Sequence, residues 1–327
     1  MKAVLIDQPG GPDSLKLGEY PTPKPTPNEL LVRVKATALN RADIMQREGK
    51  YPPPSDASPI LGLEMAGIVE EVGENSGPWK KGDRVFGLLP GGGYAEYAVI
   101  PGEMAMPIPE GMSFFEAAGV AEVFLTAWQA LFWIGRLQAG ERVLIHAGAS
   151  GVGTAAIQLA KHYGAFVAVT AGSEEKLAAS ERMGANVGVN YTEGPFEPKL
   201  RNAVGEEGFD LVLDFIGAPY WEQNLRALTL DGRLVLISTL GGSHIKGVDL
   251  APILRKRLQV TGTTLRSRSL SYKTRLTKDF VQQGLPLFQT GAIRPVIDQT
   301  FAWEEVQTAH QYMEENRNIG KIVLEIN

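Results

Sequence analysis

Arg142-Val143-Leu144-Ile145-His146-Ala147-Gly148-Ala149-Ser150-Gly151-Val152-Gly153 is the stretch that decides the architecture of the middle of this chain. Its apolar start predicts a short strand. A glycine-rich turn follows, and Ala155 to His162 carries a helical pattern. Strand, glycine turn and helix in that order are the context a dinucleotide fingerprint requires. Gly148 permits the tight turn, and Gly153 lets helix and strand pack closely. The helix N-terminus offers unpaired N–H groups and a partial positive charge to a pyrophosphate. Ser150 stands where the pattern has its second glycine, and Gly151 beside it keeps the loop open before Val152. A bland glycine turn is the alternative, and the surrounding alternation of strands and helices argues against it.

That alternation runs on from the loop. Phe166-Val167-Ala168-Val169 predicts a second strand and Glu174 to Arg182 a helix. Asp210 to Phe215, Arg233 to Ile237 and Leu258 to Gly262 predict three more strands. Strands alternating with helices imply a parallel sheet covered on both faces. The first ~100 residues differ, with short strand candidates and turn signals, among them Leu30 to Ala36 and Ala66 to Gly73. Pro21 to Pro27 holds four prolines and reads as a stiff surface connection rather than as a ligand for a proline-binding module. Lys321 to Ile326 predicts a terminal strand that the parallel sheet does not need and that is free to rejoin the first domain.

The tip of the second strand bears on the choice of cofactor. An NAD site places an acid there, about 20 residues on, to accept from the ribose 2′-OH. This chain has Thr170-Ala171-Gly172-Ser173 instead. Without an acid there is room for a 2′-phosphate, which Ser173 and Lys176 can hold, with Tyr191 from the tip of the third strand. NADPH is the expected cofactor. Ser173 can equally serve as a helix cap, with Glu174 and Glu175 favoured in the first turn by the helix dipole.

Composition narrows the field. The chain has 327 residues, 44% hydrophobic and 21% charged, with a formal net charge of -5. That supports two soluble domains, and it offers neither a basic surface for nucleic acid nor a polybasic membrane tether. There is no cysteine, hence no disulfide and no thiolate zinc site. The four histidines, His146, His162, His244 and His310, follow no metal spacing. His146 beside the loop reads as a hydrogen-bonded structural group rather than a general acid. The apolar window Ala117 to Gly135 is interrupted by Glu122, Thr126 and Gln129, so it reads as a buried helix rather than a membrane span. The apolar run at Ala3 to Ile6 is too short for a signal-peptide core, which suggests a cytoplasmic protein.

Six further stretches carry a resemblance: Ala38 to Asp43, Leu61 to Glu64, Leu89 to Gly93, Ile145 to Gly148, Leu265 to Arg268 and Asn318 to Leu324. With the loop, they resemble the zinc-free quinone oxidoreductase branch of the medium-chain dehydrogenase/reductase superfamily, nearly end to end. The resemblance implies an α/β chain with a discontinuous GroES-like β-barrel catalytic domain at 1–122 and 263–327. A doubly wound, Rossmann dinucleotide-binding domain would lie at 123–262, with the active site in the cleft between them. It implies a homodimer that pairs the strand Leu258 to Gly262 across a twofold axis. It places Asn40 and Thr126 near the nicotinamide and Tyr51 near the substrate. Phe215, Leu240 and Leu265 would line the cofactor groove, and Asn318 would reach the cofactor. Zinc-bearing relatives use a cysteine and a Gly-His-Glu motif. Here Asn40 and Leu63 stand in those places, and Glu64 remains as a structural leftover.

The expected reaction is metal-free hydride transfer from NADPH to a quinone or related electron-poor carbonyl, the cofactor carrying the hard chemistry. Asn40 and Tyr51 would hydrogen-bond the developing oxyanion, and water would supply the proton. Tyr51, placed before Pro52-Pro53-Pro54, can instead be a loop residue packed on proline. Two rival functions remain. One is an enoyl-thioester or enone reductase on the same fold. The other is an NADPH-binding sensor or crystallin-like protein with little turnover.

Overall fold

The computed structural model describes residues 1–55, 57–205 and 207–327. They form two compact units, Met1–Leu125 with Arg266–Asn327, and Thr126–Leu265. The chain passes from the first to the second within the helix Ala121–Trp128.

In the first unit, β1 (Lys2–Ile6) and β2 (Leu15–Glu19) make an antiparallel ribbon. The main sheet starts with β3 (Glu29–Ala38), which runs past both ends of the predicted Leu30 to Ala36. It adds β4 (Glu64–Val72), β5 (Arg84–Leu88), β6 (Tyr97–Pro101) and β7 (Ala105–Pro107). All the pairings among these strands are antiparallel, and β3 is flanked by both β4 and β6. Along β3, Leu30, Val32 and Val34 alternate into the core, the pattern expected of a strand with a core-facing side, while β4 buries Met65, Ala66 and Val69.

The second unit is the parallel sheet. Its strands are β8 (Arg142–Ile145), β9 (Phe166–Ala171), β10 (Val187–Asn190), β11 (Phe209–Asp214), β12 (Leu228–Leu236) and β13 (Gln259–Gly262). The spatial order is β10-β9-β8-β11-β12-β13, all parallel, the doubly wound arrangement with its reversal between β8 and β11. Leu144, Ala168, Phe196, Leu200, Phe209, Val212 and Leu234 form one buried cluster in this unit. The helix after the glycine loop spans Gly151–His162, starting earlier than Ala155, because the cap at Ser150 begins it.

The window Ala117 to Gly135 is not one helix. A short helix, Phe114–Ala118, ends at Gly119, and Ala121–Trp128 gives way to a π-helical stretch, Gln129–Ile134. The wide turn seats Trp128 and Phe132 edge-on, centroids 4.7 Å apart, with Tyr163 against both. The last two strands, β14 (Ile297–Ala302) and β15 (Lys321–Glu325), return to the first unit, where β15 pairs antiparallel with β3. Among the described residues no helix is long and apolar enough to cross a membrane.

Candidate active site

In the second unit, the loop after β8 has the geometry its sequence implies. Ala147 takes a positive φ of 49°, and the Gly148 N–H donates to Thr170 O at 3.0 Å. A Cβ on Gly148 would lie 2.8 Å from the Val169 Cβ, and one on Gly153 would lie 2.3 Å from Ala147 O. Gly153 is therefore required by close backbone approach, and Gly148 by the β-branched Val169 side chain packed on it. Ser150 Oγ accepts from the Gly153 N–H at 3.1 Å and caps the helix. The first N–H groups of a helix have no partner within it, so those of Gly151 and Val152 remain for an anion.

Other predicted cofactor residues gather at the same carboxyl end of the sheet. Phe215 follows β11 directly, and its carbonyl accepts from the Leu240 N–H at 3.1 Å. Phe215 is buried, while Leu240, beyond β12, is exposed. Leu265, three residues past β13, is buried. At the tip of β9, Gly172 packs so tightly on Tyr191 that a Cβ would meet the phenol oxygen at 2.7 Å. Ser173 accepts from the Lys176 N–H at 3.3 Å, so it caps the helix Glu174–Arg182. Glu174 is turned toward Asn190 Nδ2, at 3.4 Å. Thr126 is buried, and among the described residues its Oγ1 has no hydrogen-bond partner. That orphaned hydroxyl and the glycine cradle fit a bound dinucleotide.

His146 is structural. It is fully buried between Thr170 Oγ1 (2.9 Å from Nδ1) and Asn224 Oδ1 (2.7 Å from Nε2). The Asn224 oxygen can only accept, so Nε2 carries the proton and Nδ1 accepts from Thr170. Burial lowers its pKa to about 4, against the pull of the Asn224 bond.

The first unit holds a denser polar cluster. The Lys321 ammonium, buried at the start of β15, donates to Leu39 O (2.6 Å), Asn40 Oδ1 (2.7 Å) and Glu64 Oε1 (2.9 Å). Asn40 Nδ2 donates to Glu64 Oε1 at 3.0 Å and Ala38 O at 3.2 Å. Glu64 Oε2 accepts from the Glu122 N–H at 2.8 Å. Glu64 is therefore no leftover: fully buried, it joins a lysine, an amide and a helix start. Asn40, expected to hydrogen-bond an oxyanion, has both amide hydrogens committed within the protein. Asp43 holds the Asn40 N–H (2.8 Å) and the Gly62 N–H (3.1 Å), and burial raises its pKa to about 6. Behind it, Tyr94 links Asp43 (3.4 Å) to His310 (3.3 Å), which accepts from the buried Arg47 at 3.2 Å.

Tyr51 differs from these groups. It is half-buried, and among the described residues no hydrogen bond holds its hydroxyl. The Arg266 guanidinium sits 5.2 Å from its ring centre, pinned by Pro90 O (2.8 Å) and Gln46 Oε1 (2.7 Å). Burial raises the Tyr51 pKa, which Arg266 opposes and Glu122 reinforces. The phenol stays protonated, a donor without an acceptor. Asn318 donates to Gly320 O at 2.8 Å, in the turn that leads to Lys321.

A tetrahedral zinc needs several nitrogen, sulfur or carboxylate ligands together. Among the described residues no three His, Cys, Asp or Glu are so placed, and an ammonium already occupies Glu64. The donor set does not fit the ion.

Residues 26–110 match the family model described as alcohol dehydrogenase GroES-like domain, and residues 151–281 the one described as zinc-binding dehydrogenase. Quinone oxidoreductase from Homo sapiens is 32% identical over 321 residues, covering 95% of this chain and 93% of the human protein. The chain belongs to the quinone oxidoreductases of the medium-chain dehydrogenase/reductase superfamily. Escherichia coli quinone oxidoreductase, solved in complex with NADPH, aligns with a TM-score of 0.90 at 30% identity over the full length of both chains. CurK enoyl reductase aligns with a TM-score of 0.88 at 28% identity, covering 100% of this chain and 99% of its own. Within this quinone oxidoreductase fold, sequence reasoning missed Lys321, Glu122 and Arg266. A lysine heading the apolar run Ile322-Val323-Leu324 was the signal for the first. Arg266 lies in the quoted Leu265-Arg266-Ser267-Arg268. Glu122 was visible only as an interruption of an apolar window.

Proposed function

We propose that this protein is an NADPH-dependent reductase of quinones and related electron-poor carbonyl compounds and that it works without a metal. Bound NADPH supplies the hydride. The glycine cradle of the second unit and the first-turn amides of Gly151 and Val152 bind the pyrophosphate. Ser173, Lys176 and Tyr191 take the 2′-phosphate, Thr126 takes a polar group of the nicotinamide end, and Asn318 completes the cofactor contacts. Asn40, saturated by Glu64 and Lys321, serves as a fixed polar wall rather than a donor. The oxyanion that forms on the acceptor is hydrogen-bonded by Tyr51.

The observation that carries this reading is the unpartnered Tyr51 phenol, clamped under Arg266, in a chain whose family is that of quinone oxidoreductases. A quinone that takes hydride gives a stabilised phenolate, so one neutral donor suffices and no Lewis acid is required. The likeness to an enoyl reductase keeps conjugated enones and enoyl-thioesters as the second reading. A homodimer is inferred through β13, which pairs with β12 on one edge and whose four residues are all exposed.

The test is NADPH oxidation against a panel of quinones, enones and enoyl-thioesters, before and after exhaustive chelation, with the sedimentation mass read on the same preparation. Quinones turned over at an unchanged rate after chelation, by a protein of twice the chain mass, are expected. Activity confined to enoyl-thioesters, or lost with the removal of stoichiometric zinc, overturns the reading.

A further inference from the structure

We propose that the Glu122 carboxyl is the proton donor of the acceptor site, acting beside Tyr51. The proposal rests on the reading of Tyr51 as the group that meets the acceptor oxygen. It takes from water the role of immediate proton source.

Glu122 lies in the first turn of the helix Ala121–Trp128, and its backbone N–H is fixed on Glu64 Oε2 at 2.8 Å. That bond holds the residue against the buried cluster. Its carboxyl is different: among the described residues no hydrogen bond or ion pair engages it, and the residue as a whole is part-buried. Every neighbouring acid is already occupied. Glu64 is held by Lys321 and Asn40, and Asp43 by two backbone N–H groups and Tyr94. Glu122 is therefore the carboxyl of this cluster with its oxygens uncommitted, and its charge is felt at the Tyr51 phenol.

Four titratable groups interact with its charge. Lys321 on β15 favours the carboxylate, while Glu64 on β4 and Asp43 on the helix Arg41–Arg47 disfavour it. Tyr51, from the loop after that helix, is the fourth. Burial outweighs these charges and lifts the Glu122 pKa to about 7, where a group both holds and releases a proton near neutrality.

The step balances. The acceptor takes the hydride and with it a negative charge on its oxygen. The O–H bond of Glu122 breaks and a new O–H bond forms on that oxygen, giving the neutral hydroxyl product. Glu122 is left as a carboxylate and regains a proton from water. Tyr51 donates a hydrogen bond throughout and keeps its own proton.

The test compares wild type, Glu122→Gln and Tyr51→Phe. Glutamine keeps the size of the side chain and has no proton to give. Single-turnover reduction of a quinone in wild type should fall as pH rises through about 7, when Glu122 loses its proton. Glu122→Gln should be slower by roughly 100-fold, the low end of general-acid effects, and flat across that range. Tyr51→Phe should be slower and keep the alkaline fall. A second readout needs no turnover: of the protonated-carboxyl infrared signal titrated in the protein as isolated, the component that titrates near 7 should vanish in Glu122→Gln, while those of Asp43 and Asp214 near 6 remain. If Glu122→Gln keeps the wild-type pH profile, or its infrared titration matches wild type, the proposal is overturned. If the band behaves as expected and no quinone is reduced, the carboxyl assignment holds and it is the quinone reading that fails.

Discussion

Lys176 is the side chain on which the preference for NADPH should turn. It lies in the first turn of the helix capped by Ser173. Lys176→Ala should weaken NADPH binding by about 1.5–3 kcal/mol, the worth of one charge-assisted hydrogen bond, and leave NADH binding nearly unchanged. Fluorescence titration with both nucleotides reads the ratio, and an equal loss for both would remove Lys176 from the 2′-phosphate site. Ala171 is a poorer handle, although the missing acid pointed to it. It is 3% exposed, so an aspartate there would be buried without a partner instead of meeting a ribose. At this scale Lys321 carries the main lesson. Breaking a buried ion pair leaves an uncompensated charge, so Lys321, Asn40 and Glu64 hold one another in place.

The glycine turn and its helix form the element proposed to hold the dinucleotide. Gly153→Ala would set a Cβ 2.3 Å from Ala147 O and 2.6 Å from Gly148 O, both backbone atoms. Backbone cannot swing aside as a flexible side chain does, so the loop itself must shift. The expected result is a loss of NADPH affinity and of about 1–3 kcal/mol of stability, typical of overpacking. Nucleotide titration and urea unfolding measure the two, and wild-type values for both would mean that the turn tolerates the methyl group. The same element was legible in advance. The strand Arg142–Ile145 and the helix Glu174–Arg182 were read with the observed boundaries, because apolar period, glycine turn and cap all lie within a dozen residues. The stretch Ala117 to Gly135 was not, because the break at Gly119 and the π-helical turn answer to packing of Trp128 and Phe132 on Tyr163.

For the whole molecule, the buried histidines set the response to acid. His146 and His310 have pKa values lowered to about 4 and about 3, both chiefly by burial. A histidine unfolds to an ordinary value near 6.5, so as pH falls below that the unfolded chain takes up protons first. The stability that neutral His146 lends is complete above about pH 6.5 and lost progressively toward pH 4. Asp43 and Asp214, raised to about 6 mainly by burial, work in the opposite direction and lose their contribution as pH rises from about 4 to 6. A single variant separates the two. His146→Gln should remove about 2 kcal/mol of the difference in stability between pH 7 and pH 5, whatever its effect at pH 7. Urea midpoints at the two pH values measure it, and an identical pH dependence in variant and wild type would show that His146 is protonated as easily in the fold as outside it.

The sequence alone determined the alternation of strand and helix from Arg142 to Gly262, the position of the glycine turn, the absence of thiolate ligands and the presence of a terminal strand. Each is written in a local window, through period, through positive φ at a turn or through a residue type that is missing. Tertiary structure decided the rest. It gave Glu64 a lysine partner from the far end of the chain, tied up both amide hydrogens of Asn40, clamped Tyr51 under Arg266 and left the Glu122 carboxyl uncommitted. These depend on which distant side chains share one desolvated volume. Burial there decides whether a polar group is satisfied or available, and no local pattern of residues records it.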